Sequence, residues 1–429
     1  MKDNEAGLAT ELLRIVNATK RAQFRFGSGC FMIDRESYEV GPEAIDSYRR
    51  FPWRLLMHSG AEEHFSLSAV GTMVSRSVAR LVDGQATVET AEAELHGILQ
   101  TLSVPPPEQT VLRELTGIEL PPRTTPLALA GGKVARFTKR DRSRLLRQYR
   151  EYARSVITKP QLRRSVADAM APDLNDFVGK TVLWSTHAAE PIRAEELSLG
   201  MAHRVCTLLR YGCMSLRSDG NEMAIGIGSV QSTHCLIIPE EGFIQSSWAR
   251  TGKSRSWTIK PPDRAGMRKA GVFVLSALYE ESESGRGLPG GSFHSVLLQV
   301  LHWADVSLDQ PDNSSRILAL TVALETLFSY GASPVRSAVA EGTAMVISRN
   351  VAERKHISAR IKKLYDKRSD VAHGRAVETL SLSDVREMEN CVRLTIRVLC
   401  HHMDEFDSLD SFSEALATAR LSGRLFRAR

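Results

Sequence analysis

The chain has 429 residues, too many for one ordinary core, and its 42% hydrophobic and 25% charged composition excludes a disordered chain outside the ends. It holds no run of about 18 apolar residues, and the opening MKDNEAGLATELLRIVNATKRAQ lacks the apolar stretch and small-residue cleavage site of a secretory signal, so a cytoplasmic protein with no membrane partner is expected. The net charge of +6 is unevenly spread: residues 133–164 carry twelve basic side chains against two acidic ones, a local patch suited to a polyanion such as a nucleic-acid backbone.

Residues 1–130 read as a mixed α/β region with a helical start, a short strand at 30–33 and a helix near 69–81. Pro-rich stretches at 104–107 and 120–123 punctuate it, and Gly131-Gly132 mark a boundary. From Asp141 to Thr158, Leu145, Tyr149, Tyr152 and Val156 recur at helical spacing, while Arg140, Arg147, Arg150 and Arg154 fall off that stripe. This basic amphipathic helix, stopped by Pro160, is either a solvated charged face, an RNA contact, or a surface for a membrane or partner.

The short apolar runs at 205–209, 223–230, 234–238 and 243–248 suggest strands of a small sheet. Residues 131–263 are therefore read as a basic helix plus a small β-rich region that senses a trigger or holds a substrate. Six cysteines, Cys30, Cys206, Cys213, Cys235, Cys391 and Cys400, are scattered without a CxxC pair, so reduced thiols are expected. His203, Cys206, Cys213, His234 and Cys235 mix ligand types at spacings that fit no closed zinc pattern, which favours ordinary core residues over metal binding. Thr251-Gly252-Lys253-Ser254 carries the end of a P-loop, but position 247 is serine where the loop needs glycine, and 255–259 reads as a strand rather than a helix.

Residues 264–429 read as helical, with a core at about 312–405. The first core helix, 314–330, places Ile317, Thr321, Leu324 and Phe328 on one face; a second covers about 334–348 and a third 352–372. Ser381 caps the fourth with Asp384 three residues on, and Val385, Met388, Val392 and Leu399 form its apolar stripe. A four-helix up-and-down bundle accounts for the pattern, and the whole chain reads as an α+β multidomain protein with an all-α C-terminal part.

In the third helix the apolar stripe Ile357, Ile361, Leu364 is interrupted by Arg368 before it resumes at Val371. A guanidinium facing a bundle needs a paired anion, for which Glu325 is available, or a crevice where an anionic substrate supplies one. His373 follows five residues later, with Gly374 able to take a left-handed helix cap. Five helical steps turn the chain by about 140°, so Arg368 and His373 meet only if the helix ends there or two copies bring their pairs together. His373 is alternatively a C-terminal capping residue, stabilised by the exposed carbonyls.

The segment Leu364-Tyr365-Asp366-Lys367-Arg368-Ser369-Asp370-Val371-Ala372-His373-Gly374, preceded by Leu320-Thr321-Val322-Ala323-Leu324-Glu325-Thr326-Leu327, resembles the Apea-like branch of the HEPN superfamily. That branch shows an "ALE-L" helix followed by a "Y-D-x-R-S-x-x-x-H-G" element, and the resemblance covers about 310–405. It implies a metal-independent, cofactor-free endoribonuclease, usually homodimeric, that belongs to bacterial anti-phage defence or a toxin system. Arg368 and His373 would be its catalytic pair, with Tyr365, Ser369, Asp370 and Glu325 in support. Many superfamily nucleases carry Asn, Asp or His directly after the arginine; here Ser369 stands there and the acid, Asp370, comes next. A non-catalytic RNA-binding or sensing protein is the alternative, a dimerisation or partner-binding scaffold is a third reading, and the upstream part is expected to tie the enzyme to a trigger or regulatory partner. The last eleven residues, with Arg420, Arg424, Arg427 and Arg429 and no acid, add a basic tail.

Overall fold

A computed structural model describes residues 2–22, 30–217, 225–227, 233–239, 245–249, 256–283, 287–310, 312–329, 334–372, 380–423 and 425–426, with the backbone alone at 2–3, 160–168, 233–239, 245–249 and 370–372. The α+β class read from the sequence holds, with sheets mainly upstream and helices throughout the C-terminal part.

The first elements are α1 (Lys2–Asn17), β1 (Thr19–Arg21), β2 (Cys30–Ile33), β3 (Glu36–Val40), α2 (Ile45–Ser59), α3 (Leu67–Asp83) and α4 (Val88–Leu102). Four-residue steps put Val70, Val74 and Val78 on one face of α3, where they pack against Leu8, Leu12 and Ile15 of α1, Phe51 and Leu55 of α2, and Leu95 and Ile98 of α4. The small antiparallel sheet, in order β1-β3-β2, is tied to the end of α3 by Asp83, which accepts from Arg21 Nε at 2.6 Å and the Tyr38 hydroxyl at 2.7 Å.

A six-stranded antiparallel sheet follows, in order β10-β9-β4-β8-β7-β6, from β4 (Glu108–Glu114), β6 (Leu127–Leu129), β7 (Gly132–Arg136), β8 (Thr181–Ala188), β9 (Thr233–Pro239) and β10 (Gln245–Ala249). Alternation along β4 and β8 sends Leu112, Val182 and Trp184 to one face, where they meet Leu145, Leu146 and Tyr149 of α5 (Lys139–Val156) and Leu174 and Phe177 of α6 (Pro160–Phe177). Val111 and Leu183 point the other way, towards α7 (Pro191–Leu216). Pro160 does close the basic helix region, and it also opens α6. Beside this sheet, β5 (Ile118–Glu119) pairs in parallel with β11 (Trp257–Thr258).

The strand expected at 205–209 is instead the middle of α7. Glu190 caps that helix by accepting from the backbone N–H of Ile192 and Arg193, and Pro191 sits at its first position, where its missing N–H costs nothing. Val205, Leu208 and Leu209 are buried between the sheet and the C-terminal helices, so a continuous apolar run here reflects burial on more than one side.

Among the described residues eight α-helices follow: α8 (Pro261–Ala270), α9 (Val272–Glu283), α10 (Phe293–Leu308), α11 (Asn313–Phe328), α12 (Val335–Ile347), α13 (Val351–Ala372), α14 (Leu382–His402) and α15 (Leu409–Ser422). Helices α11 to α14 pack on one another at nearly the bounds read from the sequence, with Ile317, Thr321, Leu324, Val385, Met388, Val392 and Leu399 fully buried. Ser381 and Asp384 form the expected capping box of α14. Gly342 lets α12 approach the Phe328 ring so closely that a Cβ there would collide with it. Gly271, at φ 88°, turns the chain between α8 and α9, and a Cβ there would stand 2.7 Å from Cys400 Cβ of α14.

Candidate active site in the helical bundle

The interruption of the α13 stripe is real in space. Ile361 and Leu364 are fully buried, and one turn further on Arg368 reaches the neighbourhood of Glu325 on α11. Both side chains are about four-fifths buried, with 23% and 21% exposure. The stripe therefore delivers a cation to a mostly buried place at the end of an apolar seam, where low polarizability of the surroundings strengthens its attraction for anions.

Glu325 is shared unequally. Its Oε1 accepts a 2.6 Å hydrogen bond from the Tyr365 hydroxyl, while its Oε2 stands 3.9 Å from Arg368 Nη2. Charge-assisted N–H···O bonds run at about 2.7–2.9 Å, so the second contact is an ion pair without a hydrogen bond. Arg368 Cζ lies 5.6 Å from the centre of the Tyr365 ring, and Arg368 Nε is buried with no hydrogen-bond partner among the described residues. Burial, the hydrogen bond to Glu325 and the charge of that carboxylate push the Tyr365 hydroxyl up to about 12. Tyr365 is thus a fixed donor near neutral pH, and it orients Glu325 rather than exchanging protons itself.

Helix α13 is pinned on both flanks. Towards α12, Arg336 pairs with Asp366 at 2.5 Å and Lys362 with Glu341 at 3.3 Å. Towards α14, Asp384 receives Lys367 at 3.0 Å and Arg360 at 3.2 Å, and Arg360 also meets Glu387 at 2.5 Å. Burial raises the Asp384 pKa, but the Ser381 N–H, the Lys367 ammonium and the Ser381 hydroxyl outweigh it and bring the carboxyl down to about 2. The residue next to Arg368 is therefore anchored, which fixes the turn that presents the guanidinium.

Of the expected site residues, the structure brings Glu325, Tyr365 and Arg368 together, with Ser369 half-buried beside Arg368. His373 and Gly374 lie outside the described residues, as does the side chain of Asp370. Arg140, Arg147, Arg150 and Arg154 are exposed along α5, and among the described residues none of them forms an ion pair. They are not joined to the Arg368 site: α5 packs in the cluster of Leu112, Phe137 and Val182, whereas α13 belongs to the cluster of the helical part. Two cations on this side converge on the Trp184 ring, Lys133 at 6.0 Å and Arg144 at 5.4 Å, a pairing that periodicity of α5 alone did not reveal.

His203, Cys206 and Cys213 lie on α7, with Cys206 and Cys213 buried, and among the described residues no group of three or more His, Cys, Asp or Glu is placed to hold a metal. The P-loop-like segment 251–254 lies outside the described residues. No helix among the described residues is long and apolar enough to cross a membrane. Comparison of the chain with known family models, with curated proteins and with solved structures finds no match.

Proposed function

We propose that the chain is a HEPN-type endoribonuclease that cleaves RNA without a metal, with Arg368 and His373 as its catalytic pair. The observation that carries this reading is the underused guanidinium of Arg368: the carboxylate it meets among the described residues is committed to Tyr365, its Nε has no partner among those residues, and it continues a buried apolar stripe. An arginine kept only for structure would be expected to close a short, two-bond contact with Glu325.

RNA supplies its own nucleophile. In the proposed reaction a base removes the 2′-hydroxyl proton, O2′ forms a bond to phosphorus, and the P–O5′ bond breaks as the leaving 5′-oxygen takes a proton. The products are a 2′,3′-cyclic phosphate and a 5′-hydroxyl. Histidine, with an ordinary pKa near 6.5, suits the proton transfers, and Arg368 can hold two phosphate oxygens and stabilise charge that grows on them. The sequence resemblance further supports a homodimer through the bundle and a place in bacterial anti-phage defence or a toxin system, with a trigger or regulatory partner.

Induction of wild type and His373→Ala in a bacterial host, with sequencing of RNA ends, tests the reading. Growth arrest and new cyclic-phosphate ends with wild type alone are expected. The same ends from His373→Ala, or cleavage by purified protein that requires an added divalent metal, would refute it.

A non-catalytic RNA-binding or sensing protein is favoured by a separate observation, the row of exposed arginines on α5. Tight, salt-sensitive RNA binding by wild type with no cleavage in the induced host would select that reading.

A further inference from the structure

A cavity of about 320 Å³ opens between the C-terminal end of α7 and the first half of α14. Steps of three, four and seven residues put Arg386, Glu389, Asn390 and Arg393 on one face of α14, and Met214, Ser215, Leu216 and Arg217 form the opposite wall. The carboxylate among the described lining residues, Glu389, is paired with Arg316 at 2.5 Å, a cation from outside the lining.

Arg393 is the most telling member. It is half-buried, its hydrogen-bond partner is Asn390 Oδ1, and among the described residues it meets no carboxylate. Burial, together with the neighbouring charge of Arg397, works against its cation. A buried cation without a counter-ion is costly, and an anion in the cavity would remove that cost. Arg217 and Arg386 also line the cavity but engage other groups of the fold, so Arg393 is the cation on which the site turns.

The remaining walls narrow the chemistry. Met214 and Leu216 offer apolar surface, and Ser215 a hydroxyl. Cations on one side, with apolar surface and a hydroxyl on the other, suit a ligand that is anionic at one end and has a flat, hydrogen-bonding group at the other. The volume lies at the small end of the range of about 300–1,000 Å³ typical of small-molecule sites, which fits one nucleotide rather than two.

We propose that this cavity binds a phosphate-bearing small molecule of mononucleotide size. The inference is independent of the cleavage reading, because it concerns α7 and α14 and is read out by binding alone.

Calorimetric titration of the full chain with AMP, GMP, CMP and UMP tests it, with adenosine and a 5′-hydroxyl RNA hexamer as controls. At least one mononucleotide should bind saturably, one per chain, and inorganic phosphate should compete with it. Adenosine should bind far more weakly. Arg393→Met removes a cation that Arg397 already disfavours, so the fold should persist, and affinity should fall by at least about tenfold. Arg386→Met, at an exposed position, should weaken binding in the same direction. No saturable binding of any of the four nucleotides, binding of the hexamer alone, or affinity unchanged in both variants would overturn the proposal.

Discussion

The Tyr365 hydroxyl and the Glu325 carboxylate are joined across α13 and α11 by a 2.6 Å hydrogen bond. That bond keeps Glu325 from closing on Arg368, whose Nη2 waits 3.9 Å from the other carboxylate oxygen. Replacing the tyrosine by phenylalanine leaves Oε1 short of a donor in a part-buried place, so Tyr365→Phe should lose about 1–2 kcal/mol of stability. With Glu325 released to pair fully with Arg368, RNA cleavage should fall as well. Urea denaturation and RNA-end mapping read the two effects separately, and an unchanged denaturation midpoint would show that the bond contributes nothing to the fold.

Substitutions at Arg368 should separate charge from shape. Arg368→Ala should lower cleavage by about 10²–10³, the scale set by loss of one preorganised donor at a developing oxyanion. Arg368→Lys keeps the charge but cannot place two parallel donors on a phosphate, so it should recover only a minor part of the activity. Thermal melting should be nearly unchanged in both, because the Glu325 contact is a loose one. Full activity in the lysine variant would mean that Arg368 acts as a point charge and not as a fork.

Three of the four bundle helices were legible because each carries an apolar stripe at helical spacing, and Arg368 stood out as the charged member of such a stripe. The hydrogen bond from Tyr365 to Glu325 was not legible, since a tyrosine one residue past the stripe position Leu364 says nothing about its partner on another helix. Helix α7 was misread for a physical reason: the run 205–209 is buried between a sheet on one side and helices on the other, and unbroken apolarity is common to buried strands and buried helices. The cavity beside Arg393 escaped notice because its walls are far apart in the chain and meet only when α7 lies along α14. A signal was present, in Arg386, Asn390 and Arg393 at helical spacing beside the buried stripe of α14.

Asp384 should give the bundle an acid-labile clamp. A carboxylate whose folded pKa is depressed stabilises the fold above its unfolded pKa and loses that contribution as pH falls through the folded value. For Asp384 the window runs from 3.8 down to about 2. Asp384→Asn should therefore cost on the order of 2 kcal/mol near neutral pH, by loss of the contacts to Lys367 and Arg360, and the gap to wild type should narrow as pH falls below about 4. Denaturant titrations across that window check it. A gap that stays constant with pH would remove the clamp from the account of how Arg368 is held.

The exposed arginines of α5 make a claim that depends on salt rather than on pH. If Arg140, Arg147, Arg150 and Arg154 contact the phosphates of single-stranded RNA, each contact contributes about 0.7 to the slope of log affinity against log salt. Their joint replacement by glutamine should then flatten the slope by up to about 3 and weaken binding most at low salt. The fold should survive, because the face that α5 buries is made by Leu145, Leu146, Tyr149 and Ala153, none of which is altered. The same variant also distinguishes the roles of the two regions. Cleavage that persists at saturating RNA would assign α5 to substrate capture and leave the chemistry with Arg368, whereas cleavage lost at saturation would place the basic helix in the reaction itself. An unchanged slope would leave α5 a solvated face that keeps the sheet covered and nothing more.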